Sequence, residues 1–162
     1  MMLALLVLTV ALTAPAAQAA PARGVFVPGR SLGGLELGAT KAEVRAAWGA
    51  RFGRCRSCAR ETWYFNFRPF DPKGLGVEFR DGRVAGLFTL WRPDGWRTRE
   101  GLRLGEHAAR VTEVYGALAR RECGSYYALT VPARGAVSAF YVSGDRVWAF
   151  GLLDRRSAVC RA

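Results

Sequence analysis

Lysine is almost missing from this chain: Lys41 and Lys73 are the only two, against 22 arginines. Histidine occurs once, at position 107, and acidic residues number 13, leaving a formal net charge of +11. A single histidine excludes multi-histidine metal and acid–base centres. No Gly-x-Ser-x-Gly elbow is present to expose a nucleophile, and the acidic residues are scattered, with no pair placed for acid–base work. Gly74-Leu-Gly76 lacks the rest of a dinucleotide fingerprint and reads as a turn. After residue 22 no apolar run approaches the roughly 20 residues of a membrane span. What remains is a folded chain of 162 residues, 51% hydrophobic, with enough apolar material for a core and no sign of a reaction or a cofactor.

Residues 1–22 lack any charged side chain. An apolar stretch over 3–12 is followed by Pro15 and then by Ala17-Gln-Ala19, the small-x-small pattern of signal peptidase sites, so 1–19 reads as a signal peptide cut after Ala19. The α-amino group alone supplies positive charge ahead of the apolar core, which leaves an uncleaved anchor as the alternative. No cysteine lies near the cut, which argues against a lipoprotein. The expected location is secreted or extracytoplasmic, in periplasm or cell wall.

An even number of cysteines suits that compartment. Cys55, Cys58, Cys123 and Cys160 allow three pairings, of which Cys55–Cys58 with Cys123–Cys160 is favoured, the second tying down the C-terminus. As a zinc half-site, Cys55-Arg-Ser-Cys58 lacks a second pair. As a redox motif it should open a helix, whereas here it precedes a strand. A structural disulfide is the expectation.

A self-comparison is the most informative step. Residues 34–50 align without a gap on 101–117, with eight of 17 positions identical and Trp48 facing Tyr115. Thr40 and Glu43 form a capping box, Val44, Ala47 and Trp48 share one helical face, and Gly49 is the stop. The second copy keeps the helix and Gly116 but has His107 and Arg110 in place of the box. After each helix come a basic, cysteine-containing loop and three strands. Those of the first copy include the alternation Trp63, Phe65, Phe67 and a hairpin at Asp81-Gly82; those of the second cover 125–131, 136–142 and 146–153. The expected fold is α+β: two tandem repeats of a helix plus a three-stranded antiparallel meander, with the helices packed on one side of the sheet. Residues 20–31 are an N-terminal extension, 32–91 repeat 1, 92–98 a linker and 99–162 repeat 2.

The positions Leu37, Gly38, Thr40, Val44, Gly49, Thr62-Trp63-Tyr64 and Asp81-Gly82 carry a resemblance. The pattern resembles the helix-plus-meander unit of the β-lactamase-inhibitor-protein-like fold, a unit shared with small outer-membrane assembly lipoproteins. It covers 32–91 well and 99–153 more loosely. The resemblance implies protein binding through an exposed sheet face and loops, with no catalytic residue among the motif positions. The lipidated cysteine of the assembly lipoproteins is absent, and the strong basicity departs from the inhibitor, so specific β-lactamase inhibition is not expected.

Two sets of residues are left to carry binding. Arg51, Arg54, Arg56 and Arg60 lie in one loop, with Arg120 and Arg121 at the related place in the second copy. Arginine forks onto carboxylate and phosphate; codon bias in a GC-rich genome, which the Ala-rich, Lys-poor composition suits, also raises arginine without selection for binding. The second set is the aromatic sheet, Trp63, Tyr64, Phe65, Phe67, Tyr126, Tyr127, Phe140, Tyr141, Trp148 and Phe150, of which about half must face the core and the other half could line a concave binding face, with Tyr64 and Tyr126 as the candidates. The expected function is an exported, non-catalytic binding module for a protein partner. The alternative is a binder of anionic envelope material, cell-wall polymer or lipid headgroups, through the arginine loops. An exported chain rarely meets nucleic acid.

Overall fold

A computed structural model describes residues 19–160; the expected signal segment lies almost entirely outside them. In chain order the elements are β1 (Gly24–Val27), β2 (Ser31–Leu32), β3 (Leu35–Glu36), α1 (Lys41–Trp48), β4 (Gly53–Arg54), β5 (Thr62–Asn66), β6 (Gly74–Arg80), β7 (Arg83–Leu90), β8 (Trp96–Thr98), α2 (Ala108–Tyr115), β9 (Ala119–Glu122), β10 (Tyr127–Ala133), β11 (Ala136–Ser143) and β12 (Arg146–Asp154). Eight strands form one antiparallel sheet in the order β4-β5-β6-β7-β12-β11-β10-β9, and β3-β2-β1-β8 form a second, smaller sheet.

The α+β expectation of two helix-plus-three-stranded meanders with helices on one side is therefore corrected. The fold is mostly β. Each half contributes four strands to the large sheet, because β4 and β9 add an edge strand of two and four residues to each meander. The opposite layer is not made by helices alone. The stretches read as an extension and a linker fold into the second sheet, β1 pairing in parallel with β8. Their aromatic residues explain why: Phe26 and Trp96 are 0% and 1% exposed and enter the main core with Val44, Trp48 and Val111 of the two helices. Two helices of eight residues each are too short to cover an eight-stranded sheet, and the second sheet supplies the missing apolar surface.

The aligned stretches make matching backbone contacts. Gly38 N–H donates to Val84 O (2.8 Å) and Gly105 N–H to Val147 O (2.6 Å). Val84 N–H returns to Ala39 O as Val147 N–H returns to Glu106 O, and Gly49 and Gly116 each close their helix onto the carbonyl four residues back. The first helix carries its full capping box; the second starts at His107 without a side-chain cap. Asp81 (φ 51°) and Gly82 (φ 74°) take the left-handed conformation that tight hairpins require, as do Gly144 and Asp145.

Residues paired across a ladder point to the same face. Trp63, Val77 and Leu87 thus point inward in one half, with Phe140 and Phe150 in the other. The outer face is built largely of small residues, including Gly76, Gly151, Ala128, Ala139 and Ala149. Rings lie flat over the glycines: a Cβ on Gly76 would come within 2.1 Å of the Phe88 ring, and one on Gly151 within 2.8 Å of Tyr141.

Candidate functional site

The candidate residues fall at the two edges of the large sheet, each beside a disulfide. At the first edge the chain leaves α1 at Gly49 and pairs Gly53 with Tyr64 and Arg54 with Trp63. The Cys55–Cys58 disulfide closes the turn that follows, and Cys55 N–H donates to Thr62 O at 3.0 Å. Phe52 stacks on Trp63 with ring centroids 3.8 Å apart, and the Arg54 guanidinium lies 5.7 Å and 5.9 Å from those two rings. Arg51 and Arg56 are exposed and, among the described residues, have no side-chain hydrogen bond or ion pair. Tyr64 is half-buried on the outer face, its hydroxyl 3.5 Å from Cys58 Sγ. Just behind this edge the Lys41 ammonium donates to the Glu61 carboxylate and holds it below its usual range.

At the second edge β9 is exposed along its whole length and pairs only with β10. The Cys123–Cys160 disulfide stands at its end. Arg120 lies 3.6 Å over the Tyr127 ring and binds Glu122 at 2.5 Å. Arg121 points to the outer face opposite Ala128 and borders an open depression of about 400 Å³ shared with Arg155 and the C-terminal segment. By ladder register Arg54 and Arg120 are equivalents, each opposite an inward core residue, Trp63 and Leu129. Tyr64 and Tyr126 are not: Tyr126 precedes β10 and packs edge-on against Tyr141 and Trp148.

The structure does not bring the two arginine groups together. They occupy the first and last strands of eight, seven spacings or roughly 34 Å apart before twist. Nor does Arg60 stand with its loop neighbours. It turns onto the outer face of the sheet, donating to Ser157 Oγ at 2.9 Å with Glu78 3.6 Å away.

That contact belongs to a device without a sequence signal. After β12 the chain folds back over the outer face. Ser157, 8% exposed, accepts from Arg60 and from Arg80 (3.3 Å) and donates to Asp154 Oδ1 (2.8 Å), while Arg80 also pairs with Asp154. Desolvation pushes the Asp154 carboxyl up, but the Ser157 hydroxyl and Arg80 outweigh it and hold it below the usual range. Tyr141 Oη donates to Val159 O at 2.8 Å, and the disulfide at Cys160 ends the segment. This strap, with Phe88 and Tyr141 lying against the sheet, leaves little of the expected aromatic face open.

His107 lies 3.1 Å from Asp145 in the open at the start of α2. Among the described residues no three His, Cys, Asp or Glu side chains gather to hold a metal, and no helix is long and apolar enough to cross a membrane. Sequence reasoning missed Phe70 and Trp91, the large apolar side chains left exposed among the described residues, at 107% and 65%. Their signal was present: each is an isolated ring inside a Pro- and Asp-rich turn, 68–72 and 91–95.

No family model matches the chain, and no characterised protein matches it in sequence. Two solved structures share its fold. One is an extracellular protein containing an SCP domain from Bacillus anthracis str. Ames, with a TM-score of 0.55 and 12% identity over 74% of this chain; the match spans 44% of that protein's length. The other is a DUF4309 family protein (YjgB) from Bacillus subtilis subsp. subtilis str. 168, with a TM-score of 0.53 and 12% identity over 72% of this chain and 79% of that one. At this identity the likeness concerns the fold alone.

Proposed function

We propose that this chain is an extracytoplasmic, non-catalytic module that binds another protein along the stapled edges of its large sheet. The observation that carries the reading is the edge arrangement: Arg51, Arg56 and Arg121, without a side-chain hydrogen bond or ion pair among the described residues, stand beside an unpaired strand edge, each group fixed by a disulfide. A free edge offers backbone groups for strand addition, and forked guanidinium groups add charge-assisted hydrogen bonds. Covalent closure reduces the ordering cost of binding. The two disulfides, the extracellular setting of one structural neighbour and the resemblance to the inhibitor-like fold support the location and the class.

The arginines also favour a second reading, an anionic envelope polymer. Salt separates the two, since contacts to a polyanion weaken steeply with ionic strength. The experiment is capture from the native envelope by the oxidised protein, followed by kinetics of the Arg54→Glu/Arg121→Glu variant. Protein binding at the edges predicts an on-rate at least tenfold lower at low salt, with a smaller change at about 0.5 M. Unchanged association at low salt would make the arginines compositional and sink both readings of the edges.

A further inference from the structure

We propose that the loop pair 67–73 and 91–95 is a membrane-docking tip, with Phe70 and Trp91 entering the headgroup boundary of an anionic lipid surface. The inference is independent of the edges, which lie elsewhere on the sheet.

The backbone makes the first argument. Among the described residues five non-glycine positions have positive φ, and Asp81 and Asp145 belong to tight hairpins where aspartate is tolerated. The other three are Phe70 (63°), Trp91 (55°) and Arg92 (49°), all in these two loops. The chain places glycine at thirteen other left-handed positions, so bulky residues here carry a strain that glycine would relieve. The strained residues are also the two exposed large apolar side chains and a cation beside one of them.

Loop length makes the second. The β5–β6 connection takes seven residues, whereas its counterpart between β10 and β11 takes two. Joining the strands does not require the extra five. The longer loop is nevertheless held in shape: Asn66 Nδ2 donates to Asp71 O (2.7 Å), Lys73 N–H to Asp71 Oδ1 (2.9 Å) and Phe67 N–H to Lys73 O (3.1 Å). Lys73 Nζ ties it to Asp94 of the second loop at 3.0 Å, and the loops leave the sheet side by side where Gly74 pairs with Leu90. The rings are presented by fixed turns.

The surroundings decide the occupant. A protein hot spot sits within a wider water-excluding patch. Here Arg68, Pro69, Asp71, Pro72 and Arg92 flank the rings, and no other large exposed apolar side chain stands among the described residues. Isolated Trp and Phe with guanidinium groups are the chemistry that the bilayer interface accepts. Lys73 neutralises Asp94, while Arg68 and Arg92 have no side-chain hydrogen bond or ion pair among the described residues. The +11 charge of the whole chain adds long-range attraction to an anionic leaflet.

The test is quenching of tryptophan fluorescence by bromine-labelled lipid in vesicles of equal phosphatidylglycerol and phosphatidylcholine, with the full chain. Trp48, Trp63 and Trp96 are buried at 1% exposure, so a quenched component must come from Trp91 or from the half-buried Trp148. The expected result is quenching that disappears in Trp91→Phe, with vesicle affinity lowered about tenfold in Phe70→Ser and on the order of a hundredfold in Phe70→Ser/Trp91→Ser. Residues 1–18 are common to all forms and cancel in the comparison. Arg54→Glu/Arg121→Glu should keep the Trp91 quenching, which separates the tip from the edges. Quenching that persists in Trp91→Phe, or is absent from the wild type, overturns the proposal. So does equal binding to pure phosphatidylcholine, or a Phe70→Ser/Trp91→Ser variant that loses a protein partner while the wild type ignores vesicles.

Discussion

Replacing Cys123 and Cys160 by serine should cost more stability than any exposed substitution in this chain. The disulfide joins residues 37 apart and fastens the strap beyond β12 to the β9 edge. On the loop-entropy model, closure of about 37 residues contributes about 4 kcal/mol, against about 2 kcal/mol for the three-residue separation of Cys55 and Cys58. The strap's own contacts, Tyr141 to Val159 O and the Ser157 cluster, lose their covalent restraint at the same time. Guanidinium unfolding of oxidised wild type, Cys55→Ser/Cys58→Ser and Cys123→Ser/Cys160→Ser, followed by tryptophan fluorescence, gives the three free energies. The long-loop variant should melt roughly 8–16 °C lower if about 4 kcal/mol is lost in a domain of this size. The reasoning is refuted if it loses under about 1 kcal/mol, or if the short-loop variant loses more. The strap would then detach without taking part in global unfolding.

Two further outcomes concern the same region. Ser157→Ala removes the acceptor of Arg60 and Arg80 at a buried position and should cost about 1–3 kcal/mol in chemical denaturation, more than a serine at the surface. Asp154 has a carboxyl pKa lowered in the folded state, so its contribution is fully present above the ordinary carboxylate range and is lost as pH falls through the folded value. Unfolding free energies from about pH 6 down to about pH 2 should therefore fall less steeply for Asp154→Asn than for the wild type, and parallel curves would remove Asp154 from the acid response.

The elements with local signals were legible. Thr40 and Glu43 announce α1, and the box is present with Glu43 accepting from Thr40 N–H at 2.6 Å. Asp81-Gly82 places a hairpin because aspartate and glycine tolerate the two consecutive left-handed residues that the tight turn requires. The cysteine pairing followed from compartment and spacing. What was not legible depends on contacts between segments distant in sequence. Phe26 and Trp96 sit in Gly- and Pro-rich stretches without periodicity, and their burial follows only from the parallel pairing of β1 with β8, 72 residues apart by Gly24 and Trp96. Arg60 looked like one more loop arginine; its turn under the strap requires Ser157, 97 residues later. Edge strands as short as Gly53–Arg54 carry no pattern long enough to read.

The two halves differ most across the outer face of the large sheet. Both have a bulge at the same place in the last hairpin, leaving Ala85 unmatched in one half and Trp148 in the other. Ladder pairing then sets Glu78 and Tyr141 as equivalents on the outer face. Around Glu78 the face is a polar clasp of Arg60, Arg80 and Ser157; around Tyr141 it is an apolar cluster with Tyr126, Trp148 and Val159. One strap serves both, its serine over the polar half and its valine over the apolar half. The helices, by contrast, keep Val44 and Val111 fully buried and their glycine stops in place. The halves thus match in their backbone contacts but not across the outer face, which the strap covers. At the edges Arg54 and Arg120 remain equivalent and exposed, and the binding reading proposed above accordingly rests on the edges and not on the covered face.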